Sequence, residues 1–482
     1  WQKWKKNMKE LQSKQVIIIS HKRYIDLCEN DIERAIFAKD RHTLIIDEKV
    51  NFPVYTYSDE FYGDVRKYIS RPNRKLFDKA CKNLNDILDE YNNTTACVRV
   101  YPVIDKELFQ QFTQMMTDEI KGTKDRERKL ELKKFLNTVS LCYDKSILAI
   151  LNSEKICTLN RKHTHWGLKN NIILDASAAI DGVYVANPNK YYIRKQTRLI
   201  DHSDSEFYHV KMKTSKSAIG ANKKKYFKKI IEMLQERHVE GEKTLLVIHK
   251  KLADELYTYM QKTFGEDVWK DKDKGTDPEY KNQSYAISWF GNLIGKNTFA
   301  DFDNVWILGT PNIPLNHYLV HYMQYAQTTL GKNQPKVYEG KFVNPKFRAI
   351  QDGYIAAEIY QSIKRIQRNP KPKGKFYIVI NDEKIVHKVL GQIRNAKLTG
   401  TIEVEEEKKE KSANKQPTKI DKVADHILQL IKNGEKKIEK SPIQKQYGTI
   451  RWSELEKHPK IKPLIKSGKI KPQYRYYVIS QS

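Results

Sequence analysis

Short apolar runs bounded by polar turns recur along the chain and set its overall pattern. They lie at 15–19, 43–47, 171–175, 244–248, 304–308 and 376–380 and are rich in Val, Ile and Leu. Unbroken β-branched runs of this length are typical of parallel strands buried on both faces. Helical patterns separate several of them. The sequence therefore predicts an α/β fold with covered parallel sheets.

Between 53 and 165 the pattern changes to long, highly charged helices, predicted at 74–91 and 105–136. One strand-like run, at 96–101, interrupts them. This arrangement predicts a helical insertion between two strands of one sheet. A purely structural role is the default for such a segment.

The last 80 residues have the pattern of a linker followed by a small domain. Residues 403–419 combine mixed charge with no apolar periodicity, which is typical of a flexible linker. Beyond it, one helical face is formed by Ile420, Val423, Ala424, Ile427, Leu428 and Ile431. A second helical stretch at 453–466 leads into a strand at 474–479. Helices followed by a short ribbon predict a winged-helix module, although a small protein-binding domain fits the pattern equally well.

Charge points to a polyanionic partner. Lysine and arginine total 88 against 59 acidic residues, a net charge of +29, and phosphate neutralisation drives nucleic-acid binding. A lysine-rich, AT-rich genome is the alternative explanation. No apolar run approaches the roughly 20 residues that span a bilayer, so we expect a cytoplasmic protein that does not bind membranes. The five cysteines include no CxxC pair, which argues against zinc and iron–sulfur sites.

Two strand ends carry candidate catalytic chemistry. The run TLIIDEKVNF ends its strand in Asp47 and Glu48. Nucleotide hydrolysis needs one acid to hold Mg²⁺ through its water shell, here Asp47, and a second to orient the attacking water. The run NIILDASAAID places Asp175 and Ser177 at another strand end, where an ordinary strand-to-turn junction is the simpler interpretation.

An arginine pair follows much later. The segment AAEIYQSIKRIQR predicts a helix with Gln361, Arg365 and Arg368 on one face. Such arginines can neutralise a γ-phosphate, and a solvated basic face is the alternative. The run from Gly295 to Thr298 imitates a phosphate-binding loop, but Asn297 stands where Ser or Thr is required. No GxxxxGK[ST] occurs in the chain.

Taken in order, these segments resemble the motifs of superfamily 2 helicases, closest to the XPD and DinG-like branch. TLIIDEKV resembles motif II, DASAA motif III, TLLVIHKK motif IV, GNLIGKNTFADFD motif V and QSIKRIQR motif VI. The resemblance implies two RecA-like lobes of the P-loop NTPase type that use ATP and Mg²⁺, with an arch-like insertion. It departs from the family at Lys49 and Val50 after the acids, and at Lys364, where motif VI usually has glycine.

The resemblance also assigns roles to individual residues. The catalytic residues would be Asp47, Glu48, Arg365 and Arg368. ATP binding and coupling would use Asp175, Ser177, Gly295, Asn297, Asp303 and Gln361. Apart from the resemblance, single strands are gripped by basic side chains and by aromatic residues on which bases stack. The candidate nucleic-acid contacts are His249, Lys250, Trp289, Phe290, Lys296 and Trp452, and core packing is the simpler interpretation of each aromatic residue.

The resulting domain prediction divides the chain into six parts. These are 1–52 (rest of lobe 1), 53–165 (insertion), 166–181 (end of lobe 1), 182–402 (lobe 2), 403–419 (linker) and 420–482 (winged-helix-like). Because the chain opens with Trp1 in mid-pattern, we expect a fragment whose phosphate-binding loop, and any iron–sulfur cysteines, lie upstream.

The predicted function is that of an ATP-dependent helicase or translocase acting on single-stranded DNA. Replication or repair proteins, in a bacterium or a phage-infected host, are the expected partners. The alternative is a non-catalytic DNA-binding replication or packaging accessory with a helicase-like fold.

Overall fold

The computed structural model describes the chain except residues 1–9, 12, 92–96, 195–197, 273–282, 294, 327–329, 331–334, 405–418, 449, 451, 457, 459, 474–475 and 481–482. The predicted linker at 403–419 thus lies almost wholly outside the described residues. The chain forms two compact units, residues 1–404 and 405–482.

Strands and helices alternate through most of the first unit. The strands are β1 (Thr43–Asp47), β2 (Tyr55–Tyr57), β3 (Val98–Val100), β4 (Ala149–Asn152), β5 (Lys155–Thr158), β6 (Asn170–Leu174), β7 (Glu206–Lys211), β8 (Thr244–Ile248), β9 (Val268–Lys270), β10 (Tyr285–Trp289), β11 (Asn304–Leu308), β12 (Val337–Tyr338), β13 (Lys341–Phe342), β14 (Lys375–Val379) and β15 (Leu398–Glu403). The helices are α1 (His21–Cys28), α2 (Asp31–Ala38), α3 (Asp59–Tyr68), α4 (Arg74–Glu90), α5 (Lys106–Gly122), α6 (Arg126–Tyr143), α7 (Gly182–Val185), α8 (Lys216–Ala221), α9 (Lys223–Glu236), α10 (Lys250–Phe264), α11 (Leu315–Ala326), α12 (Pro345–Ile363) and α13 (Glu383–Leu390).

A seven-stranded parallel sheet, in the order β15-β7-β14-β11-β8-β10-β9, forms the largest layer. Its central strands are buried on both faces, as their unbroken apolar runs predict. Along β8, Leu245 and Val247 belong to one core cluster and Leu246 and Ile248 to the other. The expected mixed α/β architecture with a covered parallel sheet is confirmed.

A separate parallel pair, β1 and β6, is in register from Thr43↔Asn170 to Asp47↔Leu174. The prediction of a strand at 15–19 is wrong, because these residues are irregular and the side chains of Val16 and Ile18 are largely exposed. An extended segment becomes a strand only when a neighbour takes up its backbone hydrogen bonds. Among the described residues, β1 and β6 pair only with each other.

The insertion, predicted to be helical apart from one strand-like run at 96–101, contains more strands than expected. It contains an antiparallel sheet, β2-β5-β4-β3, packed against α3 to α6 around its own core. The prediction of one long helix at 105–136 is also wrong, because this segment forms two helices, α5 and α6. Thr123 leaves the helical conformation, and the Asp125 side chain caps α6 by accepting from the Arg128 N–H.

The second unit has α14 (Lys419–Lys432), β16 (Lys437–Glu439), α15 (Lys440–Tyr447), α16 (Trp452–Leu455), α17 (Lys462–Lys466), β17 (Ile470–Pro472) and β18 (Tyr476–Ile479). The helix predicted at 453–466 is two short helices. The apolar face predicted for α14 is confirmed, because Val423, Ala424 and Ile427 are buried in the core of this unit. Among the described residues, no helix is both long and apolar enough to cross a membrane.

Candidate active site

The acidic pair lies at the carboxyl end of β1. Asp47 is the last residue of the strand and is exposed. Glu48 follows with φ +65°, and its N–H donates to the Leu174 carbonyl of β6 at 2.9 Å. A positive φ is unusual for a residue with a side chain, and such conformations cluster at functional sites. The turn directs the chain away from the strand at this point.

The Asp175 and Ser177 segment ends the neighbouring strand, β6. The Asp175 carboxylate accepts from the Ser177 N–H at 2.8 Å and from its Oγ at 2.6 Å. Because β1 and β6 are parallel, both segments emerge at one edge of the sheet. Gln392, which follows α13, donates to the Ala176 carbonyl at 3.1 Å. This hydrogen bond connects the strand end with the larger sheet's helical layer.

Arg365 reaches Glu48 from the other end of the sequence. Its Nη2 lies 3.8 Å from Glu48 Oε1 and donates to Gln361 Oε1 at 3.1 Å. The arginine side chain is 7% exposed and the glutamate side chain 30%. Burial lowers the pKa of the Arg365 guanidinium, and the Glu48 carboxylate opposes that change. The contact therefore stabilises a positive charge that is largely removed from water.

The prediction that both arginines lie on one helical face is wrong, because α12 ends at Ile363. Arg365 follows the C-cap, and Gln367 has φ +46°, so the chain turns between the two arginines. Gln361 is still helical, and its side-chain oxygen accepts a hydrogen bond from Arg365 Nη2. The two guanidiniums are thus placed by a loop rather than by helical periodicity.

Arg368 contacts the segment that was compared with motif V. Its Nη1 donates to Asn297 Oδ1, and its N–H donates to the Ala300 carbonyl. Asp303 accepts from the Lys243 N–H at 2.9 Å and from Gln367 Nε2 at 3.3 Å. Gly295, with φ +76°, forms the turn that leads into this segment. Arg368, Asn297 and Asp303 therefore belong to one layer, with Arg365 as its link to β1.

The residues predicted to contact nucleic acid divide into two groups. His249, Lys250 and Phe290 follow the carboxyl ends of β8 and β10, and the His249 and Phe290 rings are 5.4 Å apart, edge to face. Burial lowers the pKa of His249 to about 4. Trp289, by contrast, is 7% exposed and belongs to the core, with Lys250 Nζ 5.7 Å from its ring. The geometry of Trp289 favours core packing.

Lys296 is also engaged within the protein. Its Nζ lies 2.7 Å from Asp271 Oδ2, and the same buried carboxylate accepts from Ser288 and Asn292. Trp452 lies in the second unit, half-buried, with Lys440 Nζ 5.3 Å from its ring. Lys296 and Trp452 remain predictions as nucleic-acid contacts.

Lys49, next to the acids, has a role that the sequence did not indicate. Its Nζ lies 2.6 Å from Asp181 Oδ2, and these side chains are only 15% and 3% exposed. Tyr325 and Tyr354 place their rings 5.5 and 5.6 Å from the ammonium. The only hint in the sequence was that a lysine follows the acidic pair directly, at a position where motif II of the helicases that the sequence resembles has a small residue.

The side chains around Glu48 include groups that could bind Mg²⁺ and a γ-phosphate, but the usual phosphate-binding loop is missing from the sequence. Mg²⁺ bound with a nucleotide needs only one or two protein carboxylates, and the exposed Asp47 fits that requirement. In the described part of the chain, no group of three His, Cys, Asp or Glu side chains could hold a metal by itself. Arg365 and Arg368 fit a γ-phosphate by charge. The backbone cradle of a GxxxxGK[ST] loop is absent from the sequence.

Comparisons with known proteins give distant structural likenesses. No family model and no curated protein matches the sequence. A solved structure titled "XPD_APO" has 15% identity and a TM-score of 0.48, covering 79% of this chain and 81% of that chain. One titled "XPD_Helicase" has 15% identity and a TM-score of 0.48, covering 79% and 72%. "Structure of S. tokodaii Xpd4" has 12% identity and a TM-score of 0.45, covering 76% and 80%. The roles of individual residues rest on the contacts described above.

Proposed function

We propose that this chain provides most of a nucleic-acid-dependent ATPase of the helicase or translocase type. The observation that carries the proposal is the approach of Arg365 to Glu48. An acid at a strand tip, faced by an arginine from a second layer, is the arrangement that phosphoryl transfer from ATP requires. Burial of the arginine adds weight, because a buried guanidinium without a function is expensive to retain.

In this proposal ATP would supply the phosphoanhydride bond and Mg²⁺ would neutralise its charge. The side chains of the protein orient the reacting groups. Asp47 would hold Mg²⁺ through a water. Glu48 accepts a hydrogen bond from the attacking water and aligns it. Arg365 and Arg368 face the charge that develops on the γ-phosphate, and Gln361 and Asn297 hold the two guanidiniums. Asp175 and Ser177 stabilise the turn after β6, and the Ala176 carbonyl between them accepts from Gln392. The sequence itself contains no GxxxxGK[ST] loop.

We further propose that the second unit is a winged-helix-like nucleic-acid-binding domain. Its element order is helix, strand, three helices and two strands, with β18 paired antiparallel to both β16 and β17. Residues 419–482 contain fifteen Lys and Arg against six Asp and Glu. This excess fits a polyanion, with single-stranded DNA as the proposed partner and Trp452 as a candidate stacking platform.

The decisive experiment is ATP hydrolysis stimulated by single strands, measured on the full-length natural protein. We expect Glu48→Gln to retain ATP binding but lose turnover, and Arg365→Ala to lower kcat by about 10³- to 10⁵-fold. Glu60→Gln, which removes an exposed acid at the start of α3, is the matched control and should be neutral. Normal turnover in Glu48→Gln would remove the assignment of Glu48. Tight strand binding without any hydrolysis by the natural protein would favour a non-catalytic DNA-binding protein.

A further inference from the structure

A buried ion pair joins the catalytic strand end to the start of α7. Lys49 directly follows Glu48, and its partner Asp181 directly precedes α7. One Asp181 oxygen accepts from Lys49, and the other accepts from the Val183 N–H at 3.0 Å as the cap of α7. A charge this far from water persists only when it is paired. The position of Lys49 is therefore tied to the position of α7.

Helix α7 crosses α12 at two glycines that allow no side chain. A Cβ on Gly182 would lie 2.3 Å from Ile350 Cα, and one on Gly353 would lie 2.4 Å from the Gly182 nitrogen. Both obstacles are backbone atoms, which cannot rotate away as a flexible side chain would. The two backbones are consequently in direct contact, and α12 cannot slide at this crossing without breaking that contact.

Helix α12 belongs to two cores at once. Ile350 packs in the cluster that contains Ile46 and Val50, on either side of the acidic pair. Ile359 and Ile363 pack in the cluster beneath the seven-stranded sheet. The helix ends two residues before Arg365. It is thus a rigid connection from the Gly182–Gly353 crossing to the arginine that meets Glu48.

We infer that Lys49, Asp181 and the Gly182–Gly353 crossing are positioning residues that set the separation between Glu48 and Arg365. The elements form a closed path, from Glu48 through Lys49 and Asp181 to α7, across to α12, and along it to Arg365. Packing alone would not require the buried ion pair of Lys49 and Asp181 directly after Glu48. The catalytic consequence rests on the proposed function, whereas the geometrical consequence does not.

The geometrical test uses spin labels at two exposed positions, Ile32→Cys in α2 and Lys228→Cys in α9. The five native cysteines are buried, so the labels attach selectively. Gly353→Ala should shift the distance distribution between the labels, because the new methyl must move about 1 Å to reach the 3.4 Å of ordinary contact. Gly63→Ala is the matched control, since a Cβ there meets nothing within 4 Å. Indistinguishable distributions for the two variants would overturn the inference.

A second pair of variants covers the case in which Gly353→Ala does not fold. Lys49→Met should shift the distance distribution in the same direction as Gly353→Ala, because it leaves Asp181 as a buried unpaired charge. Lys49→Arg keeps a positive charge opposite Asp181 and should leave the distribution as it is in the unaltered protein. An unchanged distribution in a folded Lys49→Met protein would overturn the inference independently.

Activity provides a separate readout in the full-length natural protein. A misplacement near 1 Å can lower a rate by about 10²-fold, so Gly353→Ala should lower kcat with little change in the KM for ATP, and Gly63→Ala should be neutral. A distance shift in a natural protein that never hydrolyses ATP would remove the proposed function and keep the positioning role. Full kcat in Gly353→Ala despite a distance shift would overturn the positioning role.

Discussion

The energetic coupling between Glu48 and Arg365 can be measured without any nucleotide. At 3.8 Å two unit charges attract by roughly 4 kcal/mol at an effective dielectric constant of about 20. Desolvation of the guanidinium offsets part of this attraction, and Glu48 retains some access to water. We therefore expect a net coupling of about 1–3 kcal/mol, within the range measured for contacting residues.

A double-mutant cycle of Glu48→Gln and Arg365→Gln gives this coupling from urea unfolding. A Trp452→Phe background leaves all remaining tryptophans in residues 1–404, so that fluorescence reports on the first unit alone. Each single variant should lower the free energy of unfolding, and the double variant should lose less than the sum. Arg368→Gln is the control partner, because Arg368 contacts Asn297, and it should be additive with Glu48→Gln. Additivity in the Arg365 cycle would refute the reasoning.

Three further predictions address burial, pH and binding. Asp271→Asn should destabilise the first unit by about 3 kcal/mol, because it leaves Lys296 without its buried carboxylate; unfolding at the wild-type urea concentration would contradict this. Burial lowers the pKa of His321 to about 3 from its ordinary value of 6.5, so the unfolded chain binds the extra proton and stability falls as pH drops from 6.5 towards 3. His321→Asn should remove up to about 1.4 kcal/mol per pH unit of that slope, and an unchanged slope between pH 6.5 and 5 would count against it. Affinity of the whole chain for a labelled single strand should fall steeply between 50 and 200 mM salt, and Trp452→Ala should cost about 1–3 kcal/mol of binding; a flat salt response would reject electrostatic binding.

The sequence predicted the parallel strands well because burial on both faces leaves a direct mark. The strands β1, β8 and β11 have the predicted bounds, since continuous β-branched runs are the composition that such a position demands. The run at 15–19 has the same composition, but no strand among the described residues pairs with it. Strand composition is a local property, whereas pairing depends on what lies beside the segment in space.

The position of the two acids in the fold was predictable, whereas their contacts were not. Asp47 ends an apolar strand and Glu48 follows it, so their place at the edge of the sheet can be deduced. The approach of Arg365 depends on a loop with a positive φ at Gln367, which helical periodicity does not indicate. The pairing of Lys49 with Asp181 joins residues far apart in the chain, and one sequence contains no signal for such a contact.

The ion pair has a consequence for the order of events under the proposed function. Glu48 cannot align a water while its carboxylate serves as the main counter-charge of Arg365, so the arginine must exchange partners when nucleotide arrives. A γ-phosphate carries more negative charge than a carboxylate and accepts the planar guanidinium fork equally well. The exchange is therefore favourable, and it releases Glu48 for water. Because Lys49 and α12 hold both residues in place, the exchange needs side-chain movement alone, and the coupling in the Glu48–Arg365 cycle should decrease when a non-hydrolysable ATP analogue saturates the full-length natural protein.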